Sequence, residues 1–387
     1  MTIDWDPLRR VVREHVAAGA VPGAVLAVSL GSETHLAAMG RAGGEPMRGD
    51  AVVRLASMTK PLIAALALVL AEDGVLSPED RIDRWIPELA DRRVLRRPDG
   101  PLDDTVPAER PITVDDLLTM RMGFGLHLDG PCPVLEEAAA LGLGVGPPDP
   151  SSPLTPDEWI ARFARLPLMY QPGTEWAYDL PFGVLGVLLA RAARRPLDVL
   201  LDDRLLKPLG MADTGFTVPE HAGERLIPCL TRDEEGRLVP FDGTADSRWN
   251  TPPAFPDARG GLVSTAPDYL RFTRMLLSGG KADDGTRLLS PASVTAMTTD
   301  HLSPRRPRSS TDRTFLQGGW GYGVEVVTPD HGTGARTPRY GWGGGLGTVW
   351  YSFPDRDAAA VLLTQCLPPH APMFDAFLAA LYRTLDT

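Results

Sequence analysis

The sequence predicts an α+β fold: one antiparallel sheet formed from both chain ends, flanked by helices, with a mostly helical inserted domain. Three observations carry that prediction. Strand-like apolar runs lie near the two ends of the chain, at 24–30 and again between 321 and 364. The stretch between them holds short helical patterns separated by Pro- and Gly-rich loops. A single apolar run from Ser57 to Gly74 has helical punctuation but no polar face, which predicts a helix buried at the centre.

Taken in order, Asp6 to Ala18 carries apolar residues at helical spacing and stops at Gly19, as an amphipathic helix does. Pro22-Gly23 opens AVLAVSL, a buried strand, and Glu33 to Met39 is its hairpin partner across Leu30-Gly31-Ser32. The central helix begins at Ser57, has Pro61 in its first turn and ends at Gly74. Helices are expected at Thr113 to Met120, Pro156 to Arg165 and Gly183 to Ala193, with a loop over Gly142 to Pro156. After Gly260-Gly261 come a helix over Ala266 to Leu277 and a loop over Ser303 to Asp312. Strands are expected at Gly321 to Thr328, Thr348 to Phe353 and Ala358 to Thr364, then an amphipathic helix over Ala371 to Thr384. The expected domains are 1–75 with 260–387, forming the sheet, and 76–259, mostly helical, with the active site between them.

The 387 residues are 43% hydrophobic and 23% charged, enough for a large core without disulfides or a structural metal. A net charge of -11 weighs against nucleic acid or an anionic membrane as partner. The basic runs Arg92-Arg93 with Arg96-Arg97, and Arg305-Arg306 with Arg308, lack interleaved aromatics and read as solvated loops. Cys132, Cys229 and Cys366 fit neither a disulfide framework nor a zinc site. The histidines are scattered without ligand spacing, so no metal and no cofactor is expected. The longest apolar stretch, Leu62 to Ala71, is too short to span a bilayer, and Met1 to Arg13 lacks the pattern of a secretion signal. A cytoplasmic location follows as the expectation; the oligomeric state is left open.

Ser57-Met58-Thr59-Lys60 is the segment that carries chemistry. Residues three apart on a helix lie on nearly the same face, which sets the Lys60 amine beside the Ser57 hydroxyl. A serine needs a neighbouring group to take its proton before it attacks. A lysine does this where burial or nearby charge lowers its pKa. Unpaired N–H groups at the helix start suit a developing oxyanion. Taken alone, the same four residues also fit a helix cap followed by a surface lysine.

Leu55 to Lys60 and the helix behind it resemble the penicillin-binding-protein-like serine hydrolases, the superfamily of class C β-lactamases, D-Ala-D-Ala carboxypeptidases and family VIII carboxylesterases. The resemblance continues in order through Gly74 to Asp80 with Trp85-Ile86-Pro87, Pro111 to Thr119 with Gly123-Phe124, Gln171 to Tyr178, Gly260 to Tyr269 and Trp342 to Gln365. It implies that Tyr178 is the tyrosine of a Tyr-x-Asn motif and shares the proton work with Lys60. Such a pair titrates as a unit, so either one remains open as the base. It also implies that Trp342-Gly343-Gly344-Gly345 stands in the place of Lys-Thr-Gly. The Gly345 N–H would then join that of Ser57 as oxyanion donor.

Two departures bear on substrate. Leu180 replaces the asparagine that helps bind a substrate amide, and an amide left unpaired costs roughly 1–3 kcal/mol. Trp342 replaces the lysine expected to hold a carboxylate. Both changes favour small or apolar carboxylic esters over anionic amides. Trp342, Gly343, Gly344, Leu180 and Phe124 are the expected substrate-binding residues; Phe124, with Met120 and Met122, also fits core packing. The resulting expectation is a serine hydrolase acting on a small-molecule ester through a Ser57 acyl-enzyme. Its alternatives are acyl transfer to an alcohol or amine, β-lactamase or D-amino-acid peptidase activity, and a catalytically silent binding scaffold.

Overall fold

A computed structural model describes residues 4–144, 146–302, 309–331 and 337–385. Among these, eight strands make the main sheet: β1 (Gly23–Leu30), β2 (Glu33–Ala42), β3 (Glu45–Pro46), β4 (Gly319–Trp320), β5 (Glu325–Val327), β6 (Arg339–Gly344), β7 (Thr348–Phe353) and β8 (Ala358–Leu363). Their spatial order is β4-β5-β6-β7-β8-β1-β2-β3, with antiparallel neighbours throughout. The two chain ends meet where β1 pairs with β8, from Val25 opposite Leu363 to Leu30 opposite Ala358. This is the expected α+β architecture.

Helices cover both faces, which explains why β1 is an unbroken apolar run. Ala24, Leu26 and Val28 join the core formed with α1 (Asp6–Ala17) and the C-terminal α5 (Ala371–Leu385), including Leu8, Val12, Met373 and Phe377. Val25 and Ala27 alternate into the larger core on the opposite face. There α4 (Ala266–Leu277) sets Tyr269 and Phe272 against Trp350 of β7, with ring centroids 5.7 and 5.9 Å away.

The central helix α2 (Thr59–Glu72) is buried continuously from Thr59 to Leu70. Each buried Leu, Ile or Val contributes about 1.5–3 kcal/mol relative to exposure. Leu62, Ile63, Leu66, Leu68, Val69 and Leu70 thus anchor firmly the segment that begins at Ser57. Beside it runs α3 (Leu180–Ala193), buried through its first ten residues.

Several boundaries differ from expectation. Of the run read as one strand over Gly321 to Thr328, only β5 is strand; the residues before it form the turn from β4, with Gly323 at φ +74°. A Cβ at Gly323 would crowd Ala64 and the Lys60 carbonyl, so the turn packs directly on α2. Strand β6 was not expected at all, because its three glycines carry no strand propensity. The helix expected from Gly183 begins three residues earlier, at Leu180. The loop expected over Ser303 to Asp312 lies outside the described residues up to 308, as does the Arg305-Arg306-Arg308 run. From Ser309 it caps a short helix, Ser310–Phe315. The insertion also contains a hairpin, Cys229–Arg232 with Leu238–Asp242, joined by Cys366–Leu367 from beyond residue 260. Among the described residues no helix is long and apolar enough to cross a membrane.

Candidate active site

Ser57 stands in a 3-10 turn, Ala56–Met58, that runs into α2 at Thr59, rather than at the first residue of the α-helix. Ala56, just before it, is left-handed at φ +48°, a conformation costing roughly 1–2 kcal/mol for a non-glycine residue. Tertiary bonds hold this strained turn. The Leu55 N–H donates to Leu262 O at 2.8 Å, and Thr348 Oγ1 donates to Leu55 O at 2.9 Å. Tyr269 Oη donates to Met58 O at 3.0 Å, and the Leu262 N–H donates to Thr59 Oγ1 at 3.2 Å. Strand β6 closes on the same turn. Gly344 lies so near that a Cβ there would collide with the Leu55 carbonyl and Thr348 Oγ1.

The Lys60 side chain is fully buried, and its Nζ reaches three acceptors. These are Ser57 Oγ at 2.9 Å, Asp179 Oδ1 at 2.8 Å and the Arg259 carbonyl at 2.6 Å. Burial alone would push the ammonium down, but the Asp179 carboxylate and the Tyr178 phenol outweigh it and the net direction is up. That direction is the opposite of the depression a lysine base requires.

Tyr178 packs within an aromatic cluster. Its ring stacks on Trp176 at 5.4 Å and Phe315 at 5.1 Å, and the Lys60 ammonium lies 4.6 Å from the ring centroid. The indole Nε1 of Trp342 donates to Tyr178 Oη at 2.9 Å, and Trp342 is itself braced edge-on by Trp320 at 4.6 Å. Asp179 follows at φ +90° and ψ −65°, a rare and strained turn conformation immediately before α3. Its second oxygen faces Arg259 Nη1 at 3.5 Å. Arg259 is bound more tightly by Asp257, at 2.7 Å from Nη2. Burial works against both charges of that pair, yet Asp257 is held below and Arg259 above its ordinary value by the other.

These groups border a cavity of about 330 Å³. Ser57, Tyr178, Asp179, Asp257 and Arg259 form its polar side, and Leu126, Pro147, Pro148, Phe315, Trp342 and Leu346 form an apolar side. Gly343 and Gly345 also line it. Among the described residues, neither the Ser57 nor the Gly345 amide donates to another backbone group. Gly344 packs instead against Leu55 and Thr348 and is not among the residues that border the cavity. Leu180 and Phe124 are placed elsewhere, both fully buried in the core. Leu180 opens α3, and Phe124 packs edge-on against Phe163 at 5.1 Å.

The sequence reading missed Asp179, Asp257, Arg259 and Phe315. Asp179 adjoins Tyr178, so a carboxylate there was visible, but nothing local ties it to a lysine 119 positions earlier. Among the described residues no group of three or more His, Cys, Asp or Glu is placed to hold a metal.

A family model described as Beta-lactamase matches residues 8–384. The chain belongs to the β-lactamase family and is an enzyme of the serine-hydrolase class. An uncharacterized protein of Mycobacterium tuberculosis (strain CDC 1551 / Oshkosh) is 40% identical over 335 residues, 84% of this chain and 80% of its own length. Esterase EstB of Burkholderia gladioli is 30% identical over 346 residues, 84% of this chain and 80% of its own. Among solved structures, EstCE1, a hydrolase with promiscuous acyltransferase activity, has TM-score 0.80 at 23% identity. That match covers 97% of this chain and 98% of its own, a likeness of fold.

Proposed function

We propose that the protein hydrolyses small, uncharged carboxylic esters through an acyl-enzyme on Ser57. The observation that carries this reading is the Ser57 hydroxyl, bonded to a buried Lys60 ammonium and bordering the same apolar cavity as Tyr178. The similarity to EstB supports an ester as substrate. So does the electrostatics of the site: among the described residues, Arg259, which lines the cavity, and Lys60, buried behind Ser57, are each paired with a carboxylate.

A phenol oxygen has two acceptor sites and one donor. Trp342 occupies one acceptor site of Tyr178, which leaves one for the Ser57 proton and one O–H for the leaving group. As Ser57 Oγ bonds to the carbonyl carbon, its proton passes to Tyr178 Oη. The phenol proton passes to the departing alkoxide as the ester C–O bond breaks. Water repeats the exchange in reverse: it bonds to the acyl carbon, gives a proton to Tyr178, and Ser57 recovers one as its bond to the acyl group breaks. The Ser57 and Gly345 amides hold the oxyanion in both halves.

The test is stopped-flow release of p-nitrophenol from p-nitrophenyl butyrate. Wild type should show a burst of one equivalent followed by turnover, and Ser57→Ala neither. Equal rates in the two proteins would exclude this reading. Adding 1-butanol to the same assay reads acyl transfer: faster turnover with butyl butyrate as product would show that an alcohol competes with water.

A further inference from the structure

Lys60 can serve a serine in two ways, and its three contacts permit either. As an ammonium it donates to all three acceptors. As a neutral amine it would donate to Asp179 and the Arg259 carbonyl and accept the proton of Ser57, which is the arrangement of a lysine base. The Arg259 carbonyl and the Ser57 hydroxyl are neutral and allow both states. Asp179 is the one partner that distinguishes them, being a carboxylate at 2.8 Å in a site where Lys60 has no exposed surface. Asp179 makes this contact from a strained backbone conformation between Tyr178 and the start of α3.

The charges around the pair agree. Facing Lys60 are Asp179 from the segment before α3, the Tyr178 ring from that same segment, Ser57 from its own turn, and the Arg259 main chain. The Arg259 guanidinium stands 3.5 Å from the other Asp179 oxygen, and Asp257 pairs with Arg259 in turn at 2.7 Å.

We infer that Asp179 is a positioning residue that keeps Lys60 an ammonium, so that Lys60 acts as a fixed cation beside Ser57 and the proton travels through Tyr178. This rests on the acyl-enzyme reading given above, but its test does not need turnover. The chain has only three lysines, Lys60, Lys207 and Lys281. With lysine carrying ¹³C at the ε-carbon, each can be followed by NMR, and the variants Lys207→Arg and Lys281→Arg assign the signals.

In wild type the Lys60 signal should hold its ammonium position to a pH above the ordinary lysine value of about 10.4. In Asp179→Asn, burial is no longer opposed by a carboxylate, and the midpoint should fall by about 2 units or more. Asp179→Glu should restore it. A wild-type Lys60 signal that titrates below the ordinary value, or one unmoved in Asp179→Asn, would overturn the inference. If Asp179→Asn does not fold, the wild-type titration still decides. Failure of the acyl-enzyme reading would appear separately, as absence of a Ser57 adduct after treatment with a fluorophosphonate ester, whatever the lysine signal does.

Discussion

Replacing Gly344 with alanine tests how the sheet places Ser57. The added Cβ would collide with the Leu55 carbonyl oxygen and with Thr348 Oγ1. Neither obstacle swings aside: one is backbone, and the other is bonded to that same carbonyl. Relief requires β6 and the turn before Ser57 to part by roughly 1 Å. Overpacking of this kind costs about 1–3 kcal/mol, and a displacement of about 1 Å at a reacting group costs on the order of 100-fold in rate. The control is the next residue. Nothing lies within 4 Å of a Cβ at Gly345, so Gly345→Ala should stay within about 1 kcal/mol of wild type. Urea unfolding measures the three stabilities, and the burst rate with p-nitrophenyl butyrate measures acylation. If Gly344→Ala is as stable as Gly345→Ala and keeps the wild-type burst rate, the tight apposition of β6 is not what positions Ser57.

Trp342→Phe keeps a ring against Trp320 but removes the N–H donated to Tyr178 Oη. A bond worth about 1 kcal/mol should lower the burst rate by up to about tenfold, and an unchanged rate would remove Trp342 from the proton path. Lys60→Met leaves Asp179 without its buried partner and should cost about 3–5 kcal/mol in urea unfolding. Adding Asp179→Asn should recover part of that loss, whereas simple additivity would mean that the two are not coupled. Burial raises the Asp268 carboxyl from 3.8 to about 6, against the amide of Asp213 and the hydroxyl of Thr214. The folded state therefore binds this proton more tightly than the unfolded chain. Its stabilisation is present below about pH 4 and lost as pH rises through about 6. Asp268→Asn should gain on wild type over that window by up to about 3 kcal/mol, read from urea midpoints at pH 4 and pH 7; a constant difference would refute the assignment.

What could be read from the chain was whatever short-range periodicity encodes. Helix α4 was legible from Ala266 to Leu277 as it stands, because its start and its apolar spacing are local signals. The same holds for β7 and for the burial of α2. Strand β6 was invisible, since Gly341 and Gly344 sit where neighbouring backbone comes too close for a Cβ, a demand unrelated to strand propensity. Phe315 lies just past the loop expected over Ser303 to Asp312, where no local signal marks it, and Leu180, expected at the substrate from its motif position, is fully buried, since motif position says nothing about burial.

The sequence by itself determined the buried central helix, the sheet drawn from both chain ends and the Ser57–Lys60 pairing, all set by spacing within a turn or a strand. Only the tertiary structure decided the charge of Lys60, the partner that sets it, and the neutralisation of Arg259. The physical reason is that a charge state follows from distance and burial in space. The carboxylate that governs Lys60 comes from 119 residues away, carried there by the packing of α3 against α2.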